Sequence, residues 1–350
     1  KGNDKTNDHV IYREIQTKPG QLFRRSDIIY TNRQLAQLGY FDPEKINVVP
    51  TPNPADGTVD IEYTVEEKPT DQFELSGGWG GRSIYANTPV TGAARLGLIG
   101  TLGLTFNNFS TKNFFKKSAW RPLPSGDGQR ISVRAQTNGI YFQSYNFSFT
   151  EPWLGGKKPN SLTVSAFHSL FNTSGARKKI ETEAGKVMNP DRSSMSIIGG
   201  SIGLGRRLAW PDKYFNMYTN VSYNYYELIK YNVFGFNNGF ANDLNFGVNI
   251  SRNSIDAPIY PKHGSNFVIS GQFTPPYSLF NGKDYSTLTD AQRYKFIEYQ
   301  KYKVTAEWFT QLTNQKAAEG KEARNLVLRT KVGFGFLGYY KKQVGISPFE

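Results

Sequence analysis

The chain has no cysteine, which excludes a disulfide framework, a cysteine-ligated zinc site and a cysteine nucleophile. That absence suits an oxidising compartment without fixing one. Histidine is scarce: His9, His168 and His263 stand far apart without metal-ligand spacing, so no metal centre is expected. No window approaches the ~18 consecutive apolar residues of a helical membrane span. The most apolar stretch, Leu96–Phe106, is shorter than that and broken by Gly and Thr. No signal peptide is visible at Lys1, so an exported protein would have lost its targeting segment or carry it upstream. Gly77-Gly78-Trp79-Gly80-Gly81 is glycine-rich, but no helix follows to make a phosphate cradle. Nothing points to an enzyme site or to a cofactor.

Aromatics and glycine are plentiful. The 350 residues include 21 Tyr, 25 Phe and 34 Gly, while only 38% are hydrophobic. Mean hydropathy is −0.53. This balance fits a β-rich chain whose apolar residues are spread thinly over many strands. The net charge of +13 is uneven. Residues 1–68 carry 9 Lys+Arg against 11 Asp+Glu, and the remainder 33 against 18. The basic residues scatter through strand-like segments and loops, as in Lys116-Lys117 and Arg177-Lys178-Lys179. Scatter suits anionic lipid headgroups or lipopolysaccharide, whereas nucleic acid calls for a clustered patch and is not expected as a partner.

Residues 1–69 read as a small α/β domain. Asn7 or Asp8 can cap a helix over His9–Ile15, and Ser26 a second over Asp27–Leu38, with Gly39 as its exit. Strands follow at Ile46–Val49 and at Val59–Val65, where Val59, Ile61 and Tyr63 alternate with acidic residues and a turn at Asp56-Gly57 precedes them. An edge strand there, through Ile46 and Val48 or through Val59, Ile61 and Tyr63, is a candidate site for an extended client or an accessory subunit. Lys68-Pro69-Thr70 is the linker.

From residue 70 onward the period is two. Leu96 to Phe106, Ile131 to Ala135, Phe215 to Tyr225, Phe240 to Ile250 and Leu326 to Phe336 each set apolar residues against Asn, Arg, Ser and Gly. Weaker runs lie near Phe73–Trp79, Phe142–Thr150, Leu162–Phe171, Ser196–Arg206, Phe267–Phe273 and Tyr302–Phe309. These make about eleven strands, many of the ~9–11 residues that span a bilayer when tilted. Short connections (Asn138–Phe142, Trp210–Tyr214) alternate with long ones (Asn172–Ser193, Pro275–Gln292), and Tyr225-Tyr226, Tyr339-Tyr340, Trp153 and Trp210 read as interface girdles. The expected fold is mainly β, an antiparallel transmembrane barrel after the small domain. Single-chain bacterial barrels have even strand numbers, so eleven strands imply an incomplete wall.

Several segments resemble one family. Thr6-Asn7-Asp8-His9-Val10-Ile11-Tyr12-Arg13-Glu14-Ile15, then Pro19-Gly20-Gln21-Leu22-Phe23 and Leu35-Ala36-Gln37-Leu38-Gly39-Tyr40-Phe41-Asp42, resemble the last POTRA domain of the BamA family of outer-membrane barrel-assembly factors. Glu66-Glu67-Lys68-Pro69 resembles its passage into the barrel. Ser148–Leu154, Ser251–Asp256 and Tyr260–Ser265 resemble family barrel turns, and Ile346–Glu350 resembles the approach to an inward-folded loop. The resemblance implies an unfinished stretch of a barrel of about sixteen strands, with the first POTRA strand upstream of Lys1. It implies residence in the outer membrane of a Gram-negative bacterium, the POTRA domain in the periplasm. It also implies an insertase that folds client barrels through a lateral gate at the first strand, with accessory lipoproteins and periplasmic chaperones as partners. Phe73, Leu75, Gly77, Gly78 and Trp79 would be that gate strand; strand glycines weaken packing and suit an opening edge. A secretion relative and a passive porin are the alternatives.

Overall fold

The structure, a computed structural model, describes residues 1–80, 97–120, 123–139, 141–156, 158–173, 178–183, 185–212, 214–231, 236–256, 261–313 and 326–349. Of the residues named above, Gly81, Leu96, Arg177, Tyr260 and Glu350 lie outside them. The chain divides into two compact units. One holds Lys1–Gly77, Gly100–Ala135 and Phe147–Pro152, and the other holds Gly78–Ile99, Gln136–Asn146 and Trp153–Glu350.

The amino-terminal elements are helices α1 (Asp8–Tyr12) and α2 (Arg25–Gln37) and strands β1 (Asn47–Asn53) and β2 (Thr58–Thr64). Val10, Leu35, Phe41 and Val65 form their core. The first helix is shorter than expected and its Asn7 side chain makes no cap. The second starts at Arg25, which puts Ser26 inside the first turn, with no side-chain cap. Gly39 ends it at φ +78°, the left-handed exit that glycine takes without a Cβ penalty.

Strands β3 (Gln72–Gly80), β4 (Gly97–Phe109), β5 (Gln129–Asn138), β6 (Phe142–Glu151) and β7 (Asn160–Asn172) begin a meander. A hairpin of β8 (Lys179–Thr182) and β9 (Gly185–Met188) stands within the long connection that follows, a segment whose sequence predicts no strand. The meander continues with β10 (Ser194–Arg207), β11 (Phe215–Ile229), β12 (Gly239–Asn253), β13 (Gly264–Phe273), β14 (Gln300–Gln311) and β15 (Val327–Gly338). β3–β7 and β10–β15 form one eleven-stranded sheet in chain order, with β3 and β15 at its edges.

Register shows which face is which. Ile250 pairs with Ile269, Ile269 with Val304, and Val304 with Phe334, so one row of aliphatics and aromatics crosses four strands. Val221, Phe246 and Phe273 make another. This apolar face is the exposed one: Ile202, in the middle of the sheet, is 57% exposed. On the opposite face Asp243 is 2% exposed and Asn245 4%. There the Asn224 amide donates to Asp243 at 3.0 Å, the Asn245 amide to the same oxygen at 2.8 Å, and Ser165 and Ser201 bond at 2.8 Å. A soluble sandwich buries its apolar face. An exposed apolar face over a hydrogen-bonded polar one is the pattern of a transmembrane barrel wall.

The connections correct one expectation. In a meander, successive turns leave at opposite ends. The tight Asn138–Phe142 turn therefore shares its end with the long 173–193 and 274–299 connections, while Trp210–Tyr214 lies at the other end, with 110–128. Tyr226 also departs from the girdle reading. It faces the polar side and packs on Phe349, ring centroids 4.9 Å apart. Met195, Leu228, Phe236, Ile297 and Tyr299 extend this apolar plug, so the polar face turns hydrophobic at the end away from β3's start.

The 274–299 connection carries helices α3 (Tyr277–Phe280) and α4 (Asp290–Arg293) and a buried Glu298. Glu298 accepts hydrogen bonds from the Ser278 amide and, at 2.6 Å, from its hydroxyl. Burial pushes the carboxyl above its ordinary range, against the pull of the Ser278 donors and Lys341. A raised folded pKa means that its contribution is fullest at low pH and is lost as pH rises through that value. Hydrogen exchange across 274–299, corrected for intrinsic rates, is expected to be faster near neutral pH than in mild acid. Glu298→Gln should flatten that difference; a variant that keeps it assigns the effect to another group.

Candidate functional site

The edge expected to matter is β3, whose residues up to Gly77 belong to unit one. In β3 the odd positions Phe73 and Leu75 are exposed, at 65% and 73%. A Cβ at Gly78 would meet nothing within 4 Å, so the strand is thinly packed there. Gly77 and Trp79 lie on the same strand. Among the described residues β3 pairs with β4 on one side only. A strand edge is where a further strand can pair.

The start of this strand is held firmly. The Asn107 amide group donates to the Thr70 carbonyl at 2.6 Å, and its backbone N–H to Asp71 at 3.2 Å. Arg134 on β5 reaches over β4 to Glu74 on β3 at 2.9 Å. Gly103 lies beneath: a Cβ there would approach the Glu74 Cβ and Oε2 to 3.1 Å each. Glycine at 103 thus leaves the path that the Glu74 side chain follows. Both charges are half-exposed, so the pair contributes at most about 1 kcal/mol. The secured base and the open space at Gly78 give β3 an asymmetry along its length.

Below the base, the β4–β5 connection meets the amino-terminal domain. Asn108 adopts φ +61° and presents its side chain twice: its amide donates to Thr6 Oγ1 at 2.8 Å, and its carbonyl accepts from the Gly128 N–H at 2.9 Å. The Asn7 N–H donates to the Gly126 carbonyl at 3.0 Å. Asp127, buried, accepts from the Asn7 amide at 3.0 Å and from Ser110 Oγ at 2.6 Å, with His9 Nε2 at 3.4 Å. The Tyr40 hydroxyl donates to the Gly128 carbonyl at 2.8 Å. Burial pushes the Tyr40 hydroxyl up to about 12, with the Arg13 charge pulling the other way. Burial also lowers Arg13, against the Glu14, Tyr40, Glu151 and Asp127 charges. Tyr40 therefore keeps its proton throughout the physiological range and stays a donor. A cavity of about 180 Å³ lies beside this joint, lined by Lys5, Glu67, Lys68, Asp71 and Phe109 among others.

The other sequence candidates separate. Val48 lies on β1, Ile46 immediately before it, and Val59, Ile61 and Tyr63 on β2. β1 flanks one side of β2, and on the other Lys1 donates to the Tyr63 carbonyl at 2.9 Å and accepts from the Val65 N–H at 2.9 Å. β1 is the barer strand, but Pro50 and Pro52 within it have no N–H to offer an incoming chain. The histidines do not converge: His9 faces Asp127 and His168 sits 3.1 Å from Ser196. Among the described residues no group of His, Asp and Glu has a metal-holding arrangement. The joint at Asn108 and Gly126–Gly128 was not read from sequence. Its only local signal is the Ser125-Gly126-Asp127-Gly128 run, which reads as an ordinary turn.

Residues 125–350 match the Omp85 superfamily domain. Residues 1–68 match the POTRA family, described as a surface antigen variable number repeat. A putative outer membrane protein assembly factor of Treponema pallidum is 31% identical over 159 residues, 45% of this chain and 16% of that protein. The outer membrane protein assembly factor BamA of Neisseria meningitidis serogroup B is 32% identical over 78 residues, 22% of this chain and 10% of that one. The chain thus matches only a small part of these relatives' length. The crystal structure of BamA from Haemophilus ducreyi lacking POTRA domains 1–3 superposes with a TM-score of 0.51 and 20% identity. It covers 100% of this chain, which spans 56% of that one.

Proposed function

Because the chain belongs to the Omp85 superfamily and has a BamA-like plan of POTRA domain and outer-membrane barrel, we propose that it serves as the membrane core of a machine that folds and inserts β-barrel proteins. Residues 1–69 form the POTRA domain, on the periplasmic side, and residues 70–350 a first portion of the barrel. Clients are nascent outer-membrane barrels, with accessory lipoproteins and periplasmic chaperones as helpers and lipid around the wall. The observation that carries this reading is the strand β3, secured at its base and with open space at Gly78 above it.

An unpaired edge in lipid costs several kcal/mol for each unsatisfied backbone group. A client strand satisfies those groups by adding to β3, through β-augmentation. Each further client strand gains its own hydrogen bonds and buries its apolar face in lipid, so insertion draws on the client's folding and needs no nucleotide. Phe73 and Leu75 offer the first side-chain contacts.

A photo-crosslinking residue at Leu75 is expected to capture barrel clients during insertion, whereas one at Val221, exposed in the middle of the sheet, should capture lipid and few clients. Equal capture at the two positions would remove β3 as the gate. Clients captured at Leu75 but released to the medium rather than integrated would turn the reading toward secretion.

A further inference from the structure

A lobe of unit one has a character that neither the wall nor the joint requires. After β4 the chain leaves the sheet and returns where Phe109 pairs with Ser125 and the Ser110 N–H donates to the Pro124 carbonyl. Between these points Phe114 packs on Phe115 edge to face and on Trp120, both with ring centroids 5.4 Å apart. The Trp120 indole N–H is spent on the Phe114 carbonyl at 3.0 Å, so the ring is fixed against its own loop. The cluster is not a core, because Phe115 is 91% exposed and Phe114 and Trp120 are exposed as well. Lys112, Lys116 and Lys117 are exposed and adjoin it in sequence, and no ion pair among the described residues uses them. From Ser110 to Gly126 the sequence has no Asp or Glu.

We propose that this lobe is a membrane-interface anchor whose occupant is the leaflet of anionic glycerophospholipid at the POTRA end of the barrel. Two features select that occupant. Rigid exposed aromatics beside a strand end match the belt in which amphipathic rings sit at headgroup level. Three lysines without an ion pair among the described residues, in a segment that has no Asp or Glu from Ser110 to Gly126, complement phosphate headgroups and would repel a basic surface. The lobe also follows directly from β4, whose Leu102 belongs to the exposed apolar face of the wall. Anchoring here would hold the base of the first strands at a fixed depth while the upper part of β3 opens. The inference rests on the barrel fold and on the POTRA-side placement, not on client insertion.

The chain has no cysteine, so Phe115→Cys accepts a single nitroxide within these residues. The whole protein, reconstituted in phosphatidylglycerol and in phosphatidylcholine vesicles, would be read by spin-label accessibility to oxygen and to a water-soluble nickel reagent. Oxygen should dominate in phosphatidylglycerol, with a shallower position in phosphatidylcholine. Changing Lys112, Lys116 and Lys117 to Gln should abolish that lipid dependence while a label at Val221 stays unchanged. A label open to nickel in both vesicles overturns the anchor, and so does one shielded from both reagents, which would mean that protein covers the lobe. Equal depth in the two lipids overturns the assignment to anionic headgroups. Client-insertion assays play no part, so the gate reading stands or falls separately.

Discussion

Asp127→Ala is expected to loosen the hold of the amino-terminal domain on the base of β4 and β5 by about 2–3 kcal/mol. The carboxylate is 5% exposed and serves both sides of the joint. One oxygen takes the Asn7 amide and lies near His9, and the other takes Ser110 Oγ. Asn7 is exposed and can turn to water when its acceptor is removed. Ser110 is fully buried, so its hydroxyl loses a charge-assisted bond with no solvent to replace it. Leaving a buried donor unmet costs ~1–3 kcal/mol, more than a matched pair contributes. Asp127→Asn should fall between, since an amide keeps one acceptor but turns a donor toward Asn7 or Ser110. The measurement is hydrogen exchange over α1 and the 66–71 linker, where protection should fall in the order wild type, Asn, Ala. Equal protection in all three would mean that backbone bonds such as Asn7 N–H to Gly126 carry the joint alone.

The joint also shows where sequence reading stopped. Each of the eleven sheet strands has a counterpart in the two-residue periodicity, because a wall with lipid on one side imposes alternation at every position. Gly39 was legible as a helix exit for a similar reason, since the requirement for φ above zero is local. The Asn7 cap failed because its amide is engaged more than a hundred residues away, at Asp127. No local pattern encodes that choice. The pairing of Glu74 with Arg134 across Gly103 was hidden likewise: a charge on one strand, a charge two strands on, and a glycine between them have no common period. The ends assigned to the connections failed for another reason. Loop length follows from insertions tolerated at the surface, whereas the end follows only from counting strands. The apolar plug around Tyr226 and Phe349 escaped because girdle and plug use the same aromatic residues.

Gly264→Ala is expected to be the most damaging substitution among the described glycines of unit two, at roughly 3 kcal/mol or more. Gly264 opens β13 at φ +113°, a conformation that residues with a Cβ rarely adopt. The added methyl would also stand 2.4 Å from the Ser254 carbonyl oxygen and 2.7 Å from the Ile255 Cα. Those are backbone atoms, and they are not free to move. The Ser254 N–H donates to the Ser265 carbonyl at 2.9 Å and the Asp256 N–H to the His263 carbonyl at 3.1 Å. Arg252 binds Ser254 and Ser265 at 3.0 and 3.1 Å and Asp212 at 2.8 Å, so the turn is tied to the next connection along the same end. Gly203→Ala is the control. Its methyl would meet the Tyr218 ring, with the hydroxyl at 2.0 Å, Cζ at 2.4 Å and Cε2 at 2.8 Å, a nominally worse clash, but all three atoms belong to one half-buried side chain that can swing aside. The Gly203 backbone angle is ordinary as well, so only the displacement of the ring counts, at about 1–2 kcal/mol. Urea titration of the folded barrel in detergent, read by its gel mobility, should separate the two variants clearly. Similar midpoints for both would show that the 254–264 turn can rearrange and that its hydrogen bonds do not fix the register of β12 and β13.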